Sequence, residues 1–442
     1  MSTVRETDTR SQAPGVWGNG SRPRLHLLLA VPTYHPFYSG AGERFRRYLP
    51  GFRKWGIQVS VLTATPVGAK GDIAEMGNGW RSLPEGVFLP VEDVDGVPVH
   101  RVRLRDRPGR RRAAAFARSV TEFCRRADDR PDVVQLFTPA LSAVPELHRL
   151  RRMGVPTVAA RTMMPELPGN PLRRVLARAS IGVPSRFVDC QVVGSRAMLE
   201  AYRRAGIRGR VEVIPHGVDL ERFRPPRTPQ ERLEGRRRLG IPDQATVLLF
   251  VGAPSRRKGI DRLLAAWGAV GPHRSDLHLL LVGPRWKEGA PEGEVLARAL
   301  RSVPAHSGAR ERIHFAGVVP DVETYMRASD VLAFPSNREG MPNVVLEAMA
   351  SGLPAVLSPF SGLSPELGHP GTHYVLSGRE EGAFAHGLAA LLDAPDRRAS
   401  MGRWARLWTE RRLDVNRTVE RYASLYGELG AGAREAGGRW GG

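Results

Sequence analysis

Short apolar runs alternate with amphipathic stretches along most of the chain. LHLLLAV (25–31) and TVLLFVG (246–252) are apolar at nearly every position, as expected of strands buried on both faces of a parallel sheet. In the first half the pattern predicts strands near 25–31, 57–63, 98–103, 132–136, 155–160, 187–193 and 210–214. Helices are expected between them, near 41–54, 113–127, 143–152 and 195–205. Residues 64–97 are rich in Gly and Pro and read as a surface excursion. A second series follows, with strands near 246–251, 277–282, 312–315, 330–334 and 354–357. Its helices are expected near 259–268, 293–303, 321–327 and 343–350, and three more near 380–392, 395–410 and 414–429.

Between the two series lies IPHGVDLERFRPPRTPQ (214–230), dense in Pro, Gly and charge, the best place for a domain boundary. A chain of 442 residues exceeds what one core usually serves. The expected organisation is a disordered tail at 1–23, an N-terminal domain at 24–215 and a C-terminal domain at 216–413. A last helix at 414–429 returns to the N-terminal domain, and 430–442 is a flexible tail. The fold class is α/β, two doubly wound Rossmann-like domains, which bind ligands in the cleft facing the strand carboxyl ends.

Composition narrows the picture only in part. The net charge is +21, nearly all from arginine, since only Lys54, Lys70, Lys258 and Lys287 are lysines. Such a balance favours anionic partners, yet no nucleic-acid motif or interleaved stacking aromatics accompany it, so none is expected. Arginines crowd in RVRLRDRPGRRR (101–112), a candidate for peripheral contact with an anionic membrane. Cys124 and Cys190 lie far apart without metal-like spacing and suggest a reducing compartment. The apolar runs fall far below the roughly 20 residues of a spanning helix, and the first residues lack a signal-peptide core. A cytoplasmic location follows as an expectation.

One stretch asks for a ligand. In PSNREGMPNVVLEAMASGLPAV (335–356), Glu339 sits in the loop before a helix and Glu347 within that helix's apolar run. Buried carboxylates are costly unless satisfied. The helix start near Pro342 or Asn343 offers N–H groups to an anion, while each carboxylate suits a diol. Phosphate flanked by polyhydroxylated groups describes a nucleotide-sugar. On spacing alone an ordinary βα connection, with Glu347 capping a neighbour, stays open.

EGMPNVVLEAMASGLPAV (339–356) resembles the signature of family 4 glycosyltransferases of the GT-B architecture. FVGAPSRRKGIDRLLAAW (250–267) is similar to the family's strand, Lys-Gly and helix segment. VIPHGVDLERFRP (213–225), DVVQLF (132–137), VVGSRAMLEAY (192–202) and YHPFYSGAGERF (34–45) align in the same order. The resemblance implies a retaining transferase that takes a UDP- or GDP-sugar and needs no metal, acting on a glycan, lipid-linked or small-molecule acceptor. It implies that Glu339 contacts sugar hydroxyls and Glu347 the ribose diol. Lys258, with Arg256 or Arg257, would neutralise the diphosphate. Backbone amides around Gly340, Met341, Pro342, Asn343 and Val344 would assist, and Gly40, Ala41 and Gly42 would approach from the other domain. No Asp-x-Asp metal signature lies in a suitable loop, and Asp93-Val94-Asp95 reads as a turn.

Four features depart from the pattern, the first being the family's glycine pair, which appears here as Gly40-Ala41 with Gly42 next. His216 stands where relatives usually carry Asn, and Ala253 where many carry Arg. AARTMMPE (159–166) has no His where many relatives place one near the reacting carbon; Arg161, Thr162 and Glu166 are the candidates to replace it. A degenerate nucleotide-sugar-binding scaffold and a sugar-nucleotide epimerase are the alternatives.

Overall fold

The computed structural model describes residues 25–37, 39–65, 79–105, 109–127, 130–284 and 291–438. The tail at 1–23, Arg107 and much of the 64–97 excursion lie outside the described residues. The first sheet holds β1 (Leu25–Ala30), β2 (Ile57–Ala64), β3 (Glu92–Val94), β4 (Val97–Val102), β5 (Val133–Phe137), β6 (Thr157–Arg161), β7 (Cys190–Val193) and β8 (Arg210–Val213). Its order is β3-β4-β2-β1-β5-β6-β7-β8, parallel except for the β3–β4 hairpin. The second holds β9 (Thr246–Val251), β10 (Leu277–Val282), β11 (Ile313–Gly317), β12 (Val331–Phe334), β13 (Ala355–Leu357) and β14 (Val375–Leu376), ordered β11-β10-β9-β12-β13-β14 and parallel throughout.

Helices cover both faces of each sheet. They are α1 (Gly40–Lys54), α2 (Arg110–Arg126), α3 (Val144–Arg152), α4 (Pro171–Ser185), α5 (Arg196–Arg204), α6 (Pro229–Arg238) and α7 (Ile260–Val270). The series continues with α8 (Pro291–Arg301), α9 (Val322–Ala328), α10 (Asn343–Ala350), α11 (Ala383–Leu392), α12 (Pro395–Arg412) and α13 (Val415–Gly438). The alternation of side chains on each strand divides the cores. Leu27 and Leu29 face Phe45, Phe52 and Tyr426, whereas Leu28 and Ala30 face Phe116, Val120 and Leu147. In the second sheet Leu249 packs with Val345 and Met349, and Leu248 with Leu263 and Trp267.

The chain crosses between the sheets at 214–218 and back at 413–415, and the two crossings pair. Val218 N–H donates to the Leu413 carbonyl (2.8 Å) and Val415 N–H to that of Val218 (3.0 Å). The return delivers α13 onto the first sheet, where Tyr422 and Tyr426 join the core and the Tyr426 hydroxyl donates to Gln135 Oε1 (2.7 Å). This helix runs on to Gly438, so the flexible tail expected from 430 is helical over that span.

Other elements also differ from expectation. The hydrophobic pattern does not predict α4 or α6. α6 (PQERLEGRRR) has no apolar stripe and is set by local chemistry: Pro229 at its first turn and Thr228 accepting from Glu231 N–H (3.2 Å). Asp93 and Val94 belong to β3 rather than a turn; the turn is Asp95-Gly96, both at positive φ (56° and 73°), as a tight hairpin requires. The arginines of 101–112 do not form one surface. Arg101 is fully buried and pairs with Glu92 (2.7 Å), whereas Arg105, Arg110 and Arg111 are exposed.

Gly217 sits where the crossings touch: an added Cβ would lie 2.5 Å from Val415 Cα. Gly217→Ala should therefore destabilise the protein by about 1–3 kcal/mol. Gly427→Ala, on α13 with open space around it, should instead stabilise by about 0.5–1 kcal/mol. Thermal unfolding of both variants checks the pair; equal shifts would contradict the crossing geometry.

Candidate functional site

β12 ends at Phe334, and the loop 335–342 leads into α10. Glu339 in that loop is buried, 6% exposed. Three donors converge on its Oε1: Lys258 Nζ (2.8 Å), an Arg257 guanidinium nitrogen (2.8 Å) and the Ser336 hydroxyl (2.9 Å). Lys258 also lies 5.8 Å from the Phe334 ring centroid. Its loop is clamped to the carboxylate loop, because Asn337 N–H donates to the Arg257 carbonyl (3.0 Å). Gly259, which starts α7 at φ +73°, admits no side chain there, since a Cβ would stand 2.0 Å from the Pro335 carbonyl oxygen. Arg256 contributes its carbonyl, which accepts from Asn337 Nδ2 (3.1 Å).

Glu347, one helical stretch later, is 7% exposed and faces the other sheet. Arg47 of α1 reaches across to Oε1 of Glu347 and forms an ion pair. One turn earlier, Arg44 meets His216 at the first crossing. Residues three apart on a helix share a face, so α1 presents two arginines to the second half of the molecule. Arginine cannot accept a hydrogen bond, so His216 Nε2 accepts from Arg44 and Nδ1 carries the proton toward Asn343 Oδ1 (3.0 Å). Burial, then the Arg44 charge, hold the His216 pKa well below its usual value.

The N-terminal half closes the site from the opposite side. Gly40, Ala41 and Gly42 open α1, with Ser39 accepting from Gly42 N–H (3.0 Å) and donating to the Thr33 carbonyl (2.7 Å). A Cβ on Gly42 would sit 2.7 Å from Ser39 Oγ, whereas Gly40 faces open space. Gly340 lies against the Thr162 carbonyl, which a Cβ would approach to 2.7 Å. Met341 is buried, and its sulfur accepts from His216 N–H (3.3 Å). Pro342 precedes α10 and no side chain caps that helix start, so the amides of Asn343 and Val344 begin the helix beside both carboxylates. The carboxyl ends of both sheets thus face one cleft.

Of the candidates to replace the missing histidine, Arg161 is engaged elsewhere. Arg161 is 2% exposed, donates twice to Gln191 Oε1 (2.9 and 2.7 Å) and lies over the Tyr202 ring. Thr162 turns its carbonyl to Gly340, and Glu166 pairs with Arg338 across the cleft. No local motif marks Arg44, Arg47 or Arg338, because their partners lie 100 or more positions away. Among the described residues no cluster of three metal-ligating side chains occurs, and no helix is long and apolar enough to cross a membrane.

Comparison with known proteins places this cleft. A family model described as glycosyl transferases group 1 matches residues 245–394, and a glycosyl transferase 4-like domain matches 39–217. The chain belongs to the group 1 glycosyltransferases. The first match spans every strand of the second sheet, and the second spans the first sheet except β1. A D-inositol 3-phosphate glycosyltransferase of Thermobispora bispora is 32% identical over 59% of this chain, a stretch spanning 60% of that relative. One from Streptomyces griseus is 26% identical over 90% of this chain and 87% of its own length. The fold is the GT-B arrangement of two facing parallel-sheet halves. It is shared with sucrose-phosphate synthase of Thermosynechococcus elongatus (TM-score 0.71, 20% identity, 93% of this chain and 100% of that one). Anabaena HepE in complex with UDP-glucose is similar too (TM-score 0.69, 18% identity, 91% and 100%).

The His216 environment predicts a pH dependence. The folded state resists protonating this ring, so below about pH 6.5 the unfolded chain binds the proton first and stability falls. Above that pH the contribution is fully present. His216→Asn should flatten the fall between pH 7 and 5 by up to about 1.4 kcal/mol per pH unit. Parallel stability profiles for the two proteins would contradict this environment.

Proposed function

We propose that this protein is a retaining glycosyltransferase that takes its sugar from a UDP- or GDP-sugar bound between Glu339, Lys258 and the start of α10. The observation that carries the reading is the buried Glu339 carboxylate with Lys258 and Arg257 on one of its oxygens. All three donors meet Oε1, so Oε2 is available to a sugar hydroxyl. Lys258 and Arg257 stand beside it, where departing diphosphate charge is to be stabilised. Fixed cations and amides that face developing charge in a closed site rank among the strongest sources of rate enhancement. The UDP-glucose in HepE's complex supports a nucleotide-sugar donor.

Glu347 takes the ribose diol in this reading. Arg47 already holds one of its oxygens from the other half, so ribose entry loosens or shares that pair and couples donor binding to the seam between the halves. For transfer, the acceptor oxygen bonds to the anomeric carbon on the face that the diphosphate leaves. The bond to the diphosphate oxygen breaks, and that oxygen takes the acceptor proton. No protein base is needed, which fits the engagement of Arg161 with Gln191. A catalytically silent nucleotide-sugar-binding scaffold is the rival, and donor hydrolysis without acceptor separates the two.

Lys258→Ala should lower the rate of donor hydrolysis or transfer on the order of 100-fold or more, with circular dichroism unchanged. Unaltered kinetics in the folded variant would remove Lys258 from the reaction. Because side chains handle the charge in this reading, turnover should persist in excess chelator; loss in EDTA with recovery on adding magnesium or manganese would contradict it.

A further inference from the structure

The opening turns of α4 leave large apolar side chains in solvent. Leu172, Val175 and Leu176 are 71%, 62% and 57% exposed. Their spacing puts them on one face, and adjoining exposed apolar side chains of this size mark an interaction surface. Leu141 (40% exposed) adds to the same side, in the short turn 141–143 against which α4 packs. The helix PLRRVLARASIGVPS contains no acidic residue, and Arg173, Arg174 and Arg178 lie along it.

A hollow of about 420 Å³ lies at the far end of α4. Arg178, Arg186, Arg204 and Arg208 line it, with Gly182 and Gly206, and no carboxylate does. Among the described residues none of the four arginines has an acidic partner. From Leu172 to Arg186 the helix spans roughly 20 Å, so one element runs from an apolar ridge to a basic hollow. The turn 141–143 also touches the start of α2, where the Ser142 hydroxyl donates to the Arg110 carbonyl (2.8 Å) and Arg110 and Arg111 face solvent.

We propose that α4 and the arginine hollow beside it dock this chain on an anionic phospholipid bilayer. The helix lies in the plane of the interface, its Leu and Val side chains entering the acyl boundary and its arginines meeting lipid phosphates. A nucleic acid would use the arginines and leave the apolar ridge in water. A second copy of the chain would cover the ridge but set two carboxylate-free arginine surfaces against each other. Only the bilayer satisfies both halves of the surface. The basic segment 101–112 shares in this face through Arg110 and Arg111.

The test is co-sedimentation of the full chain with phosphatidylcholine vesicles, with or without phosphatidylglycerol. Recovery should be high only on anionic vesicles and fall steeply toward about 0.5 M salt. Leu172→Ser, Val175→Ser and Leu176→Ser together should weaken the partition roughly tenfold or more. Arg178→Ser, Arg204→Ser and Arg208→Ser together should weaken it and flatten its salt dependence. Thermal unfolding and donor hydrolysis in solution should be unchanged in both variants, which keeps this test separate from that of the donor site. Equal recovery on neutral and anionic vesicles, or wild-type binding by the apolar variant, would overturn the proposal. So would a dimer in sedimentation velocity that the Leu172→Ser, Val175→Ser, Leu176→Ser protein loses.

Discussion

A buried carboxylate in a loop has to be compensated, and the way Glu339 is compensated organises the cleft. Removing an ion from water costs several kcal/mol even after relaxation, and only close partners recover it. Lys258, Arg257 and Ser336 do so from two loops. Those loops are then bound to each other through the Arg257 carbonyl and the Gly259–Pro335 approach. The carboxylate and its cations are thus held in place before any ligand enters. Preorganisation of this kind avoids reorganisation during reaction, which is why it counts for so much in catalysis.

The same logic operates across the seam. α1 sends Arg44 to His216 and Arg47 to Glu347, so a single helix of the first half holds both the crossing and the second carboxylate. The paired crossings at Val218 and Val415 and the docking of α13 fix where that helix lies relative to α10. In the proposed reading, a change in the occupancy of Glu347 would be felt at the joint between the halves, giving donor binding a physical route to domain closure.

Much of this was legible in sequence because it is local. Strands buried on both faces stand out as apolar runs, and Glu339, Glu347 and Lys258 lie in short motifs with recognisable spacing. Long-range pairings carry no such mark: nothing around Arg47 or Arg44 distinguishes them from dozens of other arginines. Arg101 shows the converse, an arginine counted with a basic surface that is internal and paired to Glu92. α6 escaped because its sequence is polar all round, and its helix rests on a cap and a proline. α4 escaped although Leu172, Val175 and Leu176 keep helical spacing; the face they form is left in solvent and not packed in the core.

The central claim is that the two carboxylates and their cations form one donor site. Its most direct test is ligand-dependent thermal unfolding with a panel of nucleoside-diphosphate sugars, comparing wild type with Glu347→Gln. At 100 times its dissociation constant, the true donor should stabilise the wild-type protein by about 2.7 kcal/mol, and Glu347→Gln should lose most of that gain at the same concentration. Stabilisation by no member of the panel, or an equal gain in the variant, would contradict the claim.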